Sequence, residues 1–154
     1  MGKNPTDRGK LGTKRSVRTD GHGVPLGLAV DGANRNDCKL TRETMESMAV
    51  DRPDATPDTP QGMCLDKGYD YDEVRAWLEE CGFTAHSRAR GEEAQALKQE
   101  AGFKAHRWVV ERTHSWMNRF RRVLIRWDKK ARNSLGFLHF VCAYITYKQA
   151  GLLG

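Results

Sequence analysis

No apolar run in this sequence approaches the roughly 18–20 residues that a bilayer-spanning helix needs, so no transmembrane segment is expected. The first residues, M-G-K-N-P-T-D-R-G-K, lack the apolar core of a secretion signal. Met1-Gly2 is an isolated myristoylation cue with no second membrane signal beside it. Cysteine is scarce. Cys38, Cys64, Cys81 and Cys142 are far apart and none forms a C-x-x-C pair, which argues against a zinc site and fits a reducing, cytoplasmic setting. Internal repeats and low-complexity segments are absent. The 154 residues, 38% hydrophobic and 30% charged, suit one soluble domain with a real core.

Acidic residues are nearly missing from one long stretch, Lys104 to Lys130, where nine Lys/Arg stand against Glu111 and Asp128. Residues 1–20 carry a net charge of +4, residues 21–103 carry −7, and residues 104–130 carry +7. Two basic ends around an acidic middle favour a polyanionic partner. Tryptophan and phenylalanine interleave with the arginines of the second basic stretch, so nucleic acid is favoured over a merely solvated helix face. The same stretch has the length and period of one helix. Trp108, Val109, Trp116, Phe120, Val123, Leu124 and Trp127 make an apolar stripe, and Arg107, Glu111, His114, Asn118 and Arg121 fall on another face.

Ahead of that stretch the pattern is α/β. Residues 2–12 read as a loop. Thr13 to Thr19 and Val24 to Val30 are strand candidates joined by D-G-H-G, a hairpin turn signal. Asp37 is placed to cap a helix from about Cys38 to Ala49. Three prolines make residues 51–61 an exposed loop within the domain. Gly62 to Leu65 reads as a short buried strand ending at Asp66. A helix then runs from about Asp70 to Cys81, stopped by Gly82, and Phe83 to His86 is a further short strand. Ser87 to Ala94 reads as loop running into a mobile or helical stretch up to Gly102. Asn133 to Ala150 is a final amphipathic helix, with Leu135, Leu138, Val141, Ile145 and Leu152 as expected core.

Two carboxylates suggest chemistry. Asp66 at a strand end and Glu111 on a basic helix are candidate ligands of a hard divalent cation such as Mg²⁺. Two such ions can serve the attacking and leaving oxygens of a phosphodiester, although that site usually needs three or more acids. Each residue also has a plainer reading. Asp66 could be a turn or cap residue, Glu111 a salt-bridge partner of Arg107 or a hydrogen-bond partner of Ser115 and Asn118. His114 suits a surface or phosphate contact better than a metal ligand. Trp116 could stack on a base or pack in the core.

Three blocks carry a resemblance. P-T-D-R-G-K at Pro5 to Lys10, D-K-G-Y-D at Asp66 to Asp70, and R-W-V-V-E-R-T-H-S-W-M-N-R-F-R-R at Arg107 to Arg122 resemble the C-terminal part of DDE transposases of bacterial insertion sequences, in the IS-five-like group. The blocks lie in order across essentially the whole chain. The resemblance implies a ribonuclease-H-like mixed sheet with flanking helices and an Asp-Asp-Glu triad dependent on Mg²⁺ (or Mn²⁺). That triad would cleave transposon ends and transfer strands to target DNA. By motif, Asp66 matches the second acid and Glu111 the third, both as catalytic and as metal-binding residues. The family's Y-R-E-K signature is only partly present. Arg107 stands at the Arg position, Lys104 replaces the Tyr, and Asn118 stands where a Lys is common, with Arg119 next to it. Arg107, Arg112, His114, Asn118, Arg119, Arg122, Arg8 and Lys10 are the DNA-binding candidates. Partners would be transposon-end and target DNA, with a homodimer or an upstream transposase segment as protein partner.

The front departs from the family. There the first catalytic Asp lies on a strand upstream of P-T-D-R-G-K, and Asp7 and Asp20 do not match it. The expectation is thus a partial catalytic domain over residues 1–154 that lacks the first, central strand. The neighbouring edges, Val24 to Val30 and Gly62 to Leu65, would then be left open. A frameshifted second reading frame, a degenerate copy and a mis-assigned start all fit. So does a non-catalytic DNA-binding or regulatory fragment.

Overall fold

The structure, a computed structural model, describes residues 2–5, 8–56, 58–65, 69, 71–86 and 107–152, the Arg107 side chain excepted. The chain divides into two compact units, Met1–Val50 with Val109–Gly154, and Asp51–Trp108. No helix of the described residues is long and apolar enough to cross a membrane.

In the first unit, β1 (Gly2–Lys3), β2 (Leu11–Thr19) and β3 (Pro25–Gly32) form an antiparallel sheet in that order. The D-G-H-G turn forms the β2–β3 hairpin as the sequence indicates. The Asp20 carboxylate accepts from the backbone N–H of His22 at 2.9 Å and of Val24 at 2.8 Å. Gly23 takes φ 84°, where a side chain would be strained. Pairing runs from Thr13 opposite Gly32 to Arg18 opposite Gly27, and shifts between Arg18 and Thr19.

Alternation along β2 sends successive side chains to opposite faces. Lys14, Ser16 and Arg18 meet α1 (Asp37–Glu46). Lys14 pairs with Asp37 at 3.0 Å, Ser16 lies 2.8 Å from the Thr44 hydroxyl, and Arg18 reaches the thioethers of Met45 and Met48. Asn36, rather than Asp37, caps this helix, its side chain accepting from Cys38 N–H at 3.2 Å. A cap residue must lie just outside the helix, and Asp37 is already its first turn.

The opposite face of the sheet holds the main core. Leu28 of β3 packs with Met117, Leu138, Val141 and Ile145, and Val17, Val30, Trp116, Phe120 and Val123 close around them. Val17 and Val30 belong to β2 and β3; the others come from α3 (Arg107–Asn118), the single turn α4 (Arg121–Leu124) and α5 (Ala131–Gln149), with Phe120 in the link between α3 and α4. The sheet thus lies between α1 and the α3–α5 layer.

The basic stretch is not one helix. It stops at Asn118, and Phe120 and Ile125 take extended backbone angles on either side of α4. A straight helix of that length would run about 40 Å, beyond the sheet it packs on. Breaking it lets Phe120 meet Tyr144 of α5 edge-on at 5.6 Å and keeps Val123 against the core. The expected apolar stripe is redrawn accordingly. The buried line of α3 is Val109, Thr113 and Met117, at four-residue steps, while Trp108, Leu124 and Trp127 face solvent. Leu152, expected in the core, is also exposed, because α5 ends at Gln149 and Gly151 turns the chain at φ 70°.

In the second unit, β4 (Gly62–Cys64), α2 (Asp72–Glu80) and β5 (Thr84–His86) make a βαβ unit with parallel strands, Gly62 opposite Thr84 and Cys64 opposite His86. Among its described residues, Val74 and Leu78 of α2 and Phe83 are the buried apolar side chains. Arg52 sits 3.9 Å over the Phe83 ring and donates to the Cys81 carbonyl. Gly82, at φ 76°, turns the chain out of α2.

The α/β class is therefore shown. The described strands make two separate sheets, one antiparallel and one parallel, rather than one mixed sheet. Among the described residues, β3 has β2 as its one strand neighbour, β4 has β5, and Thr13–Thr19 of β2 has β3 alone. Edge backbone does not mean exposed side chains: Leu28 and Ala29 of β3 are buried, because helices cover both faces. The stretch Ser87 to Gly102, read as loop and helix, lies outside the described residues.

Candidate functional site

The residues of α3 sort by their position around the helix. Val109, Thr113 and Met117 face inward, and the Thr113 hydroxyl donates to the Gly23 carbonyl at 2.7 Å. That bond ties α3 to the hairpin turn. Trp108, Glu111 and Ser115 face outward. Glu111 therefore presents its carboxylate to solvent. Among the described residues it has no ion pair or hydrogen bond, so the expected tie to Ser115 or Asn118 is not formed. The Arg107 side chain lies outside the described set.

Between these faces lies a group committed to internal contacts. Arg112 donates to the His22 carbonyl and lies 4.9 Å over the Trp116 ring. Asn118 accepts from Arg15 of β2 at 3.0 Å. His114 is half-buried. Burial, and then the positive charge of Arg15, hold its pKa below the usual histidine value. Burial also lowers the pKa of Arg15, whose Nη1 is enclosed with no hydrogen-bond partner among the described residues. Trp116 packs against the core rather than standing free.

Past the helix break three of the four arginines turn outward. Arg119 and Arg121 are exposed. Arg122 grips Asp128 with two donors, Nη2 at 2.8 Å and Nε at 3.4 Å, and lies 5.4 Å over the Phe137 ring. This raises the arginine pKa and lowers that of Asp128. Arg126 donates from Nε to the Asp128 carbonyl at 3.0 Å and from Nη1 to the Thr13 hydroxyl. Arg8 and Lys10 are exposed in the turn between β1 and β2, with Arg8 at φ 50°. Arg15, Arg126 and Asp128 were not singled out by the sequence. Their alternation with apolar residues gave no cue, and only the sheet-to-helix contact assigns them.

Asp66 lies outside the described residues, as does Asp70. The ladder reaches the residue before it, since Leu65 N–H donates to the His86 carbonyl at 2.8 Å. No group of three or more metal-ligating side chains is found among the described residues.

Residues 2–146 match the family described as Transposase DDE domain. The chain belongs to this family. It is also 34% identical over 152 residues to a protein of Burkholderia cepacia described as a transposase for insertion sequence element IS402. That match covers 95% of this chain and 68% of the relative. No solved structure matches the chain. Membership gives the exposed Glu111 its context: the family's name records an acidic triad, and Glu111 is the one acid of α3.

Proposed function

We propose that this chain acts in DNA transposition as a segment of a DDE transposase, cleaving transposon ends and transferring the strands to target DNA. The observation that carries the reading is Glu111: a solvent-facing carboxylate with no described ion pair, in a family whose reaction needs acids beside a phosphate backbone. With Asp66 it would supply two of three acids. The third would come from an upstream segment, and the two parts together would complete a ribonuclease-H-like sheet.

The donor chemistry fits a hard divalent cation, because carboxylate oxygens are what Mg²⁺ or Mn²⁺ takes and Glu111 is not already spent on a described ion pair. Such an ion, when bound, lowers the barrier to attack on the phosphodiester and stabilises the leaving oxygen. The chain's own residues do the rest. Thr113 and Met117, buried on the opposite side of α3, anchor the helix that carries Glu111. Arg8, Lys10, Arg119 and Arg122 reach solvent and would neutralise DNA phosphates. Arg112, His114 and Asn118 would act from behind, by fixing α3 against the hairpin turn and β2. Arg107 is assigned to DNA or to support of the acids by motif.

The test is end cleavage by a full-length product that includes this chain, with Mg²⁺ and a labelled transposon end. Glu111→Gln should abolish cleavage while leaving DNA affinity within about threefold. Wild-type cleavage by Glu111→Gln would refute the role of Glu111. A product that binds ends but never cuts them would instead make the chain a DNA-binding or regulatory fragment.

A further inference from the structure

Trp127 stands 69% exposed, more than any other large apolar side chain of the described residues. An indole carries 150–250 Å² of surface that normally drives it inward. Its neighbours are anything but loose. Arg126 is bonded to the Asp128 carbonyl and to the Thr13 hydroxyl, and the Asp128 carboxylate is gripped by Arg122. The backbone on both sides of Trp127 is therefore pinned while the ring is left out. An open, shallow surface lined by Arg121, Arg122 and Trp127 lies beside it. From Arg119 to Lys130 there are six cations and one acid, and that acid already faces Arg122.

We infer that Trp127 is a stacking platform for an unpaired nucleobase, with Arg121 and Arg122 holding the adjoining phosphates. A ring flanked by guanidinium groups offers a face to a base and charge to its backbone at once. The surrounding positive charge opposes a second copy of the same surface and favours a polyanion. A duplex keeps its base faces stacked, so the platform serves single-stranded, frayed or distorted DNA. The inference rests on the DNA reading above and adds the state of the strand that is recognised.

The test uses the full chain and two labelled probes of equal length, a single-stranded oligo(dT) and a blunt duplex, followed by anisotropy. Trp127→Ala should weaken the single strand about tenfold or more, and the duplex by less than about twofold. Oligo(dT) should quench the fluorescence of the wild type, and Trp127→Phe should lose most of that quenching. Because the ring is exposed, both variants should keep the wild-type circular dichroism spectrum and melting temperature. Equal weakening of both probes, or no change in either, would overturn the platform while leaving DNA binding intact. Wild-type chain that binds neither probe would overturn the DNA reading itself. Self-association that disappears in Trp127→Ala with no change in DNA affinity would give the ring to a second copy and overturn the proposal.

Discussion

Gly27 fixes how closely α1 lies on the sheet. A Cβ there would stand 2.3 Å from the Thr44 carbonyl oxygen, so the helix would have to move. Gly27→Ala should cost about 1–3 kcal/mol, read as a lower midpoint in urea denaturation. His114 sets a pH dependence of known sign. Its folded pKa lies below the ordinary 6.5, through burial and then Arg15, so the unfolded chain binds the proton more readily. Stability should be fully present above about pH 6.5 and should fall as pH drops from there toward the depressed value. His114→Gln should flatten that part of the profile in melts between pH 7.5 and 5. Neither residue was placed by sequence pattern. Gly27 sits inside a strand where only the approach of Thr44 explains it, and His114 was read as a surface or phosphate contact.

The informative element is the break after α3. The apolar period runs on through Phe120, Val123 and Trp127, so the sequence reads as one helix. Thr13, over a hundred residues away, holds Arg126 beyond the break. This joint should be a local feature rather than a prop for the whole fold, since the Arg122–Asp128 pair is largely exposed on the arginine side and surface pairs contribute little. Thr13→Val with Asp128→Asn should raise amide hydrogen exchange across residues 119–130 while leaving exchange in α5 unchanged. The hairpin shows the opposite case. D-G-H-G and the alternation of β2 are local signals, and the hairpin strands form within two residues of where the pattern puts them, as do α2 and β5; residues 2–12, read as a loop, also hold β1 and the start of β2.

At the scale of the molecule, charge decides behaviour. The cationic surface beyond α3 should make DNA affinity fall with salt, each neutralised phosphate adding about −0.9 to the slope of log K against log salt. Arg119→Glu with Arg121→Glu should make that slope shallower by about 2, measured by titration at several salt concentrations. The sequence by itself determined the α/β class, the family, the hairpin, and the place of Glu111 on a helix. Those rest on local chemistry: turn residues, side-chain period and motif spacing. Tertiary structure alone decided where the basic stretch breaks, which face of α3 is buried, and that Arg15, Arg112 and Arg126 are drawn into internal contacts. Such outcomes depend on residues distant in the chain competing for the same surface, and a one-dimensional period carries no information about which of them wins.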